Sequence, residues 1–217
     1  LTPAQIGLLI TIQNVGFIFS VVLSGRLADV FQKSKVLSVT SAVLAVSFFF
    51  FYYKASFSLN VFVMLIIGMG LGGYEGAADP MLLEIHHKRE SMFITVNHFF
   101  VTFGSLMITV YLIFLQMNWR KSVTQAAIAI GILATVFAFT KTQSKRSGQT
   151  SLREGTFSFL RKEKTVIWYF ILAVCAVGIE LGVIGILTTF LMDLRGFNQI
   201  TSKLGLVALL SGLGTGR

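Results

Sequence analysis

The sequence is poor in cysteine, proline and charged residues. Its 217 residues include one cysteine, two prolines and 12% charged side chains, about half the charged share of an ordinary soluble domain. The single Cys175 excludes a disulfide framework within the chain and a metal cluster built on cysteines. Nine acidic residues stand against 18 basic ones, which leaves a net charge of +9.

The chain is rich in apolar residues. They make up 54% of the chain, and 21 of them are phenylalanine. A soluble domain of this length leaves much of its surface in water and could not hide so much apolar area. The basic residues lie between the apolar runs, so membrane topology explains the net charge better than nucleic acid does. We therefore predict a lipid bilayer as the partner and no nucleic acid.

Long apolar segments alternate with short polar ones. A helix that crosses a bilayer needs roughly 20 apolar residues, and these runs are too long for strands and apolar all round. The pattern predicts an all-α, polytopic transmembrane bundle. The segments span 5–25, 36–56, 60–83, 91–116, 120–140 and 165–191, and a seventh starts near 203.

Basic residues concentrate on one side of the predicted membrane. The connections after the first, third and fifth segments carry 12 lysines and arginines, and the other connections carry five. The positive-inside rule places the first set in the cytoplasm, which predicts a multi-pass protein of the inner (plasma) membrane. Aromatic residues at segment ends are typical of interfacial anchors, namely Tyr52, Tyr53, Trp119, Trp168 and Tyr169.

One polar stretch, 141–164, is long enough to divide the chain. It is rich in Ser, Thr, Gly and basic residues. We predict an N-terminal helical half at 1–140, a cytoplasmic linker at 141–164, and the start of a C-terminal half at 165–217, as in a transporter built from two halves. Because Leu1 stands at the start and Arg217 interrupts an apolar run, we interpret the chain as a piece of a longer protein.

The first connection, Gly25 to Lys35, resembles the signature loop that joins the second and third helices of the major facilitator superfamily. Gly25, Asp29, Lys33 and Lys35 match that pattern. An aspartate in such a tight turn can cap a helix or pair with a base, and so latch a gate. The alternative is an ordinary positive loop. By this resemblance the chain corresponds to helices two to eight of the family fold, and Gly25, Asp29 and Lys33 have gating or structural roles.

The third segment contains two carboxylates among glycines. Residues 68–73 match GxGxxG formally, but no strand precedes them, so we reject a dinucleotide site. Small residues here favour close helix packing. Glu75 lies about 22 Å along the segment from Asn60, and Asp79 follows four residues later on the same face. An intramembrane carboxylate is costly unless paired, hydrated or protonated. We predict that Glu75, with Asp79, carries a coupling proton; the alternative is neutralisation by a structural partner.

The fourth segment places Asn97 and His98 at a depth similar to that of Glu75 on the neighbouring antiparallel helix. Histidine suits proton relay and hydrogen bonding to hydroxyls, so we predict that both residues contact substrate. A satisfied structural histidine is the alternative. The adjacent His86 and His87 are interpreted as a solvated loop, because further metal ligands are not visible nearby. We predict no metal and no other cofactor.

The sixth segment repeats the motif of a carboxylate between glycines at Gly178, Glu180 and Gly182. A buried acid in a membrane helix is a functional candidate, so Glu180 is predicted to line the substrate cavity. Arg217 lies about 21 Å into the seventh segment, counted from Lys203. An arginine at that depth needs a partner, and Glu180 is a candidate.

Taken together, these motifs resemble the fucose–galactose–glucose:proton symporter family of the major facilitator superfamily. The resemblance rests on the glycine-rich stretch from Gly72 to Pro80, on Asn97 to Gly104, on Glu180, and on Gly216-Arg217. It implies that Glu75 is the protonatable carboxylate and that His98 faces a sugar. Asp79 stands where that family usually has Asn, and His98 where it usually has an amide.

The hypothesis is a monomeric, proton-coupled transporter of a small hydroxylated metabolite such as a sugar, working by alternating access. A proton-driven exporter of drugs or metabolites with the same fold is the first alternative. A membrane sensor or scaffold without transport is the second. A membrane enzyme is disfavoured, because no Ser/His/Asp arrangement or metal-ligand spacing supports one.

Overall fold

The computed structural model describes residues 2–85, 89–140 and 164–216. This part of the chain contains seven α-helices and no strand, which confirms the all-α prediction. The helices are α1 (Pro3–Val30), α2 (Lys33–Phe50), α3 (Phe57–Ile85), α4 (Glu90–Phe114), α5 (Trp119–Phe139), α6 (Lys164–Arg195) and α7 (Gln199–Gly216). Among the described residues, α1 to α5 are long and apolar enough to cross a membrane.

The described residues form two compact units. The first contains α1 to α5 with the end of α7, and the second contains α6 with most of α7. In the first unit α3 is central: it packs against α1 on one side and α2 on the other, α5 packs on α2, and α4 touches α3 and α5. Large apolar side chains on the outer face of α1, such as Ile18 and Phe19, are exposed, as a surface facing lipid requires.

Glycines let α3 approach both neighbours closely, as predicted. A Cβ on Gly68 would lie 2.8 Å from the carbonyl carbon of Gln13 in α1, and one on Gly72 would lie 2.9 Å from that of Phe17. On another face, a Cβ on Gly70 would lie 2.8 Å from the Cβ of Leu44 in α2. The formal GxGxxG match is therefore helix packing, inside α3 and away from any strand.

Two helix boundaries differ from the sequence prediction. The first connection is shorter than expected, because α1 continues through Gly25 to Val30 and only Phe31 and Gln32 separate it from α2. The second helix ends earlier, at Phe50 rather than near residue 56. Tyr52 adopts a left-handed backbone with φ of 54°, a conformation that a helix does not tolerate.

The buried side chain of Asn60 explains the early end of α2. Its Oδ1 accepts a hydrogen bond from the backbone N–H of Tyr52 at 2.8 Å. Its Nδ2 donates to the carbonyls of Lys54 at 2.9 Å and Ser56 at 2.6 Å. Asn60 thus satisfies the backbone N–H of Tyr52 and the carbonyl of Lys54 at this turn, and it fixes the path of the chain between α2 and α3. Its bond to the Ser56 carbonyl is a second one, because that carbonyl also accepts the backbone N–H of Asn60 at 3.1 Å.

In the second unit, a glycine and an asparagine define the turn between α6 and α7. Gly196 has a φ of +69°, the left-handed conformation that often ends a helix at glycine. The Oδ1 of Asn198 accepts the backbone N–H of Thr201 at 2.8 Å and so caps the start of α7. Gly205 of α7 lies against Leu191 of α6.

Candidate functional site

The carboxylates of α3 lie beside the glycines through which that helix packs on α1, because Glu75 and Asp79 follow Gly68 and Gly72 by seven residues, or two helical turns. Gly68, Gly72 and Gly76 face α1, and Gly70 faces α2. Glu75 and Asp79 are separated by one helical turn, so their side chains share a face. Both are partly buried, within a helix long and apolar enough to cross the membrane.

Asn97 of α4 binds Asp79 directly. The Nδ2 of Asn97 donates a hydrogen bond of 3.1 Å to the Oδ1 of Asp79. This bond links α3 to α4, and it joins two residues that were predicted separately from the sequence. Because the amide donates to one oxygen of the carboxylate, the other oxygen remains an acceptor.

Glu75 lies near other ionisable side chains of α3 and α4. Asp79 and His98 lie close enough for their charges to act on Glu75. Tyr74 is also close to these carboxylates, because the charges of Asp79 and Glu75 both act on its phenol. The structure therefore brings together four predicted residues, Glu75, Asp79, Asn97 and His98, which we call the polar cluster. Two carboxylates and an imidazole in one place can hold and pass a proton.

Sequence reasoning missed Tyr74 and a row of hydroxyls on α4. Thr102 and Thr109 are buried although α4 is largely exposed. The hydroxyl of Thr102 donates to the carbonyl of His98 at 3.1 Å, and that of Thr109 donates to Ser105 at 2.7 Å. These bonds to the preceding turn satisfy the hydroxyl hydrogens and leave acceptor lone pairs. Polar residues recur every three or four positions along this helix, at His98, Thr102, Ser105 and Thr109. This spacing could have revealed the polar face from the sequence.

The other predicted site residues are placed as follows. Glu180 is partly buried on α6, with open space beside Gly178 and Gly182. Arg217 lies outside the described residues, as do His86, His87 and most of the polar stretch 141–164. The pairing of Arg217 with Glu180 and the place of Glu180 in a substrate cavity therefore stay predictions. Within the ranges that the structure describes, no group of three or more His, Cys, Asp or Glu has the arrangement of a metal site.

The opposite end of α2 from the Asn60 turn carries an ion pair. Lys33 Nζ lies 2.6 Å from Glu84 Oε1, and this pair joins the start of α2 to the last turn of α3. The Lys33 side chain is 6% exposed and that of Glu84 is 38% exposed. Glu84 was not predicted, although an acid at the end of an apolar segment beside a basic connection was a readable signal.

Asp29 does not have the contacts expected of it. It lies in the last turn of α1 and is exposed. In the described part of the chain it makes no ion pair, and Gln32 rather than Asp29 is the N-cap residue of α2. Because α1 continues to Val30, Asp29 precedes the turn instead of standing within it.

Gly25 lies beside α3, where a Cβ would meet the carbonyl oxygen of Gly76 at 3.8 Å, an ordinary contact.

Both charges of the Lys33–Glu84 pair stand at electrostatically unfavourable helix ends. A helix N-terminus favours anions and a C-terminus favours cations, yet Lys33 begins α2 and Glu84 lies in the last turn of α3. Neither charge helps its own helix, so the pair stabilises the contact between α2 and α3 rather than the helices themselves.

This pair leads to a testable expectation for Glu84→Gln. The change leaves the buried ammonium of Lys33 with a weaker acceptor, and we expect it to lower the free energy of unfolding by roughly 1–3 kcal/mol. Thermal denaturation of the purified protein measures this. Lys35→Gln is the matched control, because Lys35 is exposed two residues away. The exchange Lys33→Glu with Glu84→Lys should restore stability, since both charges then suit their helix ends. If Glu84→Gln and Lys35→Gln are equally stable, the pair does not hold these helices.

Comparisons with known proteins agree with a helical membrane transporter. A family model described as Major Facilitator Superfamily matches residues 1–217. A protein of Bacillus subtilis (strain 168) named "Putative metabolite transport protein YncC" is 32% identical over 119 residues. That match covers 51% of this chain and 24% of the relative, so the chain spans about a quarter of the length of the curated protein it matches. No solved structure matches the chain.

Proposed function

This chain belongs to the major facilitator superfamily, and from that premise we propose that the protein is a secondary active transporter that moves a small hydroxylated metabolite, a sugar, by proton symport. It is a multi-pass membrane protein with helices that suit a bilayer. Its relative is named for metabolite transport, which supports a small solute as the substrate. Alternating access needs two helical halves around a central site, so the activity belongs to the protein at its full natural length.

The polar cluster is the observation that carries this proposal. Glu75 takes up and releases the coupling proton, and Asp79 shares its charge environment. Asn97 and His98 bind substrate hydroxyls, and Asn97 exchanges between a hydroxyl and its present partner Asp79. Glu180 contributes an acceptor from the second half. Polar groups at this depth are costly in a membrane and are commonly part of a transport path.

The ends of the helices supply the gate in this proposal. Lys33 and Glu84 form the closing contact on the cytoplasmic side, with Gly25 and Asp29 in the neighbouring end of α1 and Arg217 in the second half. The positive-inside distribution assigns that side to the cytoplasm. We place the protein in the inner (plasma) membrane as a monomer, organised as a helical half at 1–140, a linker at 141–164 and a second half from 165. It acts without a cofactor and is not an enzyme.

Transport assays on the full-length protein in proteoliposomes test the proposal. Radiolabelled sugars are screened first for counterflow exchange, which needs no proton gradient. A sugar that exchanges is then tested for uptake under an inward pH gradient of one unit. With the membrane potential held at zero by potassium and valinomycin, this gradient supports accumulation of about tenfold for one proton per uncharged sugar. Accumulation that follows the proton inward, and vanishes when an ionophore removes the gradient, supports symport.

Two other results would redirect the assignment. Movement of substrate against the proton gradient would favour the exporter alternative. Absence of exchange for every sugar would reject the sugar assignment, and amphipathic compounds would be tested next. If no solute moves under any condition while the protein remains folded, the sensor or scaffold alternative gains support.

A further inference from the structure

An apolar groove runs along the membrane-facing side of α2 and α3. It encloses about 710 Å³, and apart from Ser47 its walls below the turn are apolar. Val46 from α2 and Phe62 from α3 are wall residues that are 57% and 59% exposed. Ser47 adds little polarity, because its hydroxyl already donates to the carbonyl of Leu44 at 2.9 Å. A surface of this kind is suited to a hydrocarbon chain.

The groove has the length of one membrane leaflet. Its α2 wall extends from Ala42 to Phe50, nine residues whose ends lie about 12 Å apart along the helix. Half of the hydrocarbon core of a bilayer is about 15 Å thick. The groove therefore starts at the turn between α2 and α3 and extends to near the middle of the membrane, as an acyl chain of that leaflet does.

The mouth of the groove carries a cation and an amphipathic ring. Tyr53 and Lys54 line the groove where the chain leaves α2. In the described part of the chain, Lys54 forms no ion pair. Tyr53 is 71% exposed and packs edge-on against Phe50, with ring centroids 6.4 Å apart. Tyrosine and lysine at this depth match the interface where phospholipid headgroups lie.

Asn60 holds the mouth in place. It binds the backbone of Tyr52 and Lys54 on either side of Tyr53, and it is fully buried. The positions from which the phenol and the ammonium project are thus set before any ligand arrives, and preorganisation of this kind lowers the cost of binding.

We propose that this groove binds one acyl chain of an anionic phospholipid whose phosphate group pairs with Lys54. The positive charge of Lys54 complements a headgroup of net negative charge, the phenol of Tyr53 donates to a phosphate or ester oxygen, and the walls below are matched to hydrocarbon. A lipid with a zwitterionic headgroup fits the same walls but gains less at the mouth. The proposal depends on membrane insertion alone and is independent of the transport proposal.

Native mass spectrometry of the full-length protein in detergent measures the binding. The probes are phosphatidylglycerol and phosphatidylcholine with identical acyl chains. The wild type should prefer phosphatidylglycerol. Lys54→Gln should weaken the binding of that lipid about fivefold, as expected for the loss of one exposed ion pair, and should weaken the binding of phosphatidylcholine less. Lys121→Gln is the matched control, since Lys121 is also exposed at a helix start and is predicted to lie on the same side of the membrane.

A second pair of variants tests the groove itself. Val46→Trp fills it and should reduce the binding of both lipids. Val39→Trp, two turns away on the same face of α2 and outside the groove, should not. A phosphatidylglycerol with a photoreactive acyl chain should label residues between 42 and 66. The proposal is overturned if Lys54→Gln and Lys121→Gln have equal effects, if Val46→Trp leaves binding intact, or if labelling falls elsewhere. Displacement of lipid by a copurifying protein would identify a partner helix as the occupant instead.

Discussion

Replacing Glu75 with glutamine is expected to abolish proton-driven accumulation while exchange of substrate continues. Glutamine has nearly the shape of protonated glutamic acid but cannot release a proton. The variant should resemble the permanently protonated protein, which binds and exchanges substrate. Under a pH gradient of one unit, we expect the roughly tenfold accumulation of the wild type to fall to equilibration, with counterflow retained. Uptake and counterflow in the same proteoliposomes measure both quantities.

The matched variant for this experiment is Asp79→Asn. Asp79 has the same carboxylate on the same face of α3 and is bound by Asn97, so it controls for loss of charge at this depth. We expect Asp79→Asn to keep part of the accumulation, because Glu75 remains titratable. If Glu75→Gln still accumulates substrate and Asp79→Asn does not, the proton is carried by Asp79. If both variants accumulate substrate normally, the polar cluster does not couple transport to protons.

Replacing Gly68 with alanine is expected to lower stability strongly. The added methyl carbon would lie 2.8 Å from the carbonyl carbon of Gln13 and 3.0 Å from the backbone nitrogen of Phe17. These are main-chain atoms of α1 and cannot move aside as the tip of a side chain does, so the two helices must separate. Overpacking typically costs 1–3 kcal/mol, and we expect about 3 kcal/mol here. The change in stability is measured by heating the detergent-solubilised protein and determining the folded fraction by size-exclusion chromatography.

Gly104→Ala is the control for this experiment. Gly104 lies within α4, and a Cβ there would meet nothing within 4 Å. Alanine has the better helix propensity by roughly 1 kcal/mol, so Gly104→Ala should be neutral or stabilising. Equal stability of Gly68→Ala and Gly104→Ala would contradict the close contact of α1 with α3. A larger substitution such as Gly68→Leu should then also be tolerated.

The helices themselves were predictable because hydrophobic length is a local property. The third, fifth and sixth apolar segments match α3, α5 and α6 to within a few residues at each end. Two boundaries were wrong for non-local or subtle reasons. The side chain of Asn60 acts back on Tyr52 and ends α2 early, and the polar composition after Gly25 concealed the last turn of α1.

The members of the polar cluster were predictable one at a time, because an ionisable residue in an apolar run stands out. Which of these residues contact each other was harder to predict from the sequence. The sequence indicated a similar depth for Glu75 and His98, but the hydrogen bond between Asn97 and Asp79 depends on the rotation of both helices. The same holds for Glu84, since only packing shows that it meets Lys33 rather than solvent.

The sequence by itself determined that this protein is a helical membrane protein, where its helices run, and which polar residues lie within them. These properties follow from the free energy of transferring each segment into lipid, which sums over neighbouring residues. Only the tertiary structure decided which face of α3 meets each neighbour, how the turn at Asn60 shapes the apolar groove between α2 and α3, and that Lys33 pairs with Glu84. These depend on contacts between residues far apart in the chain, where one missing Cβ or one hydrogen bond selects the arrangement.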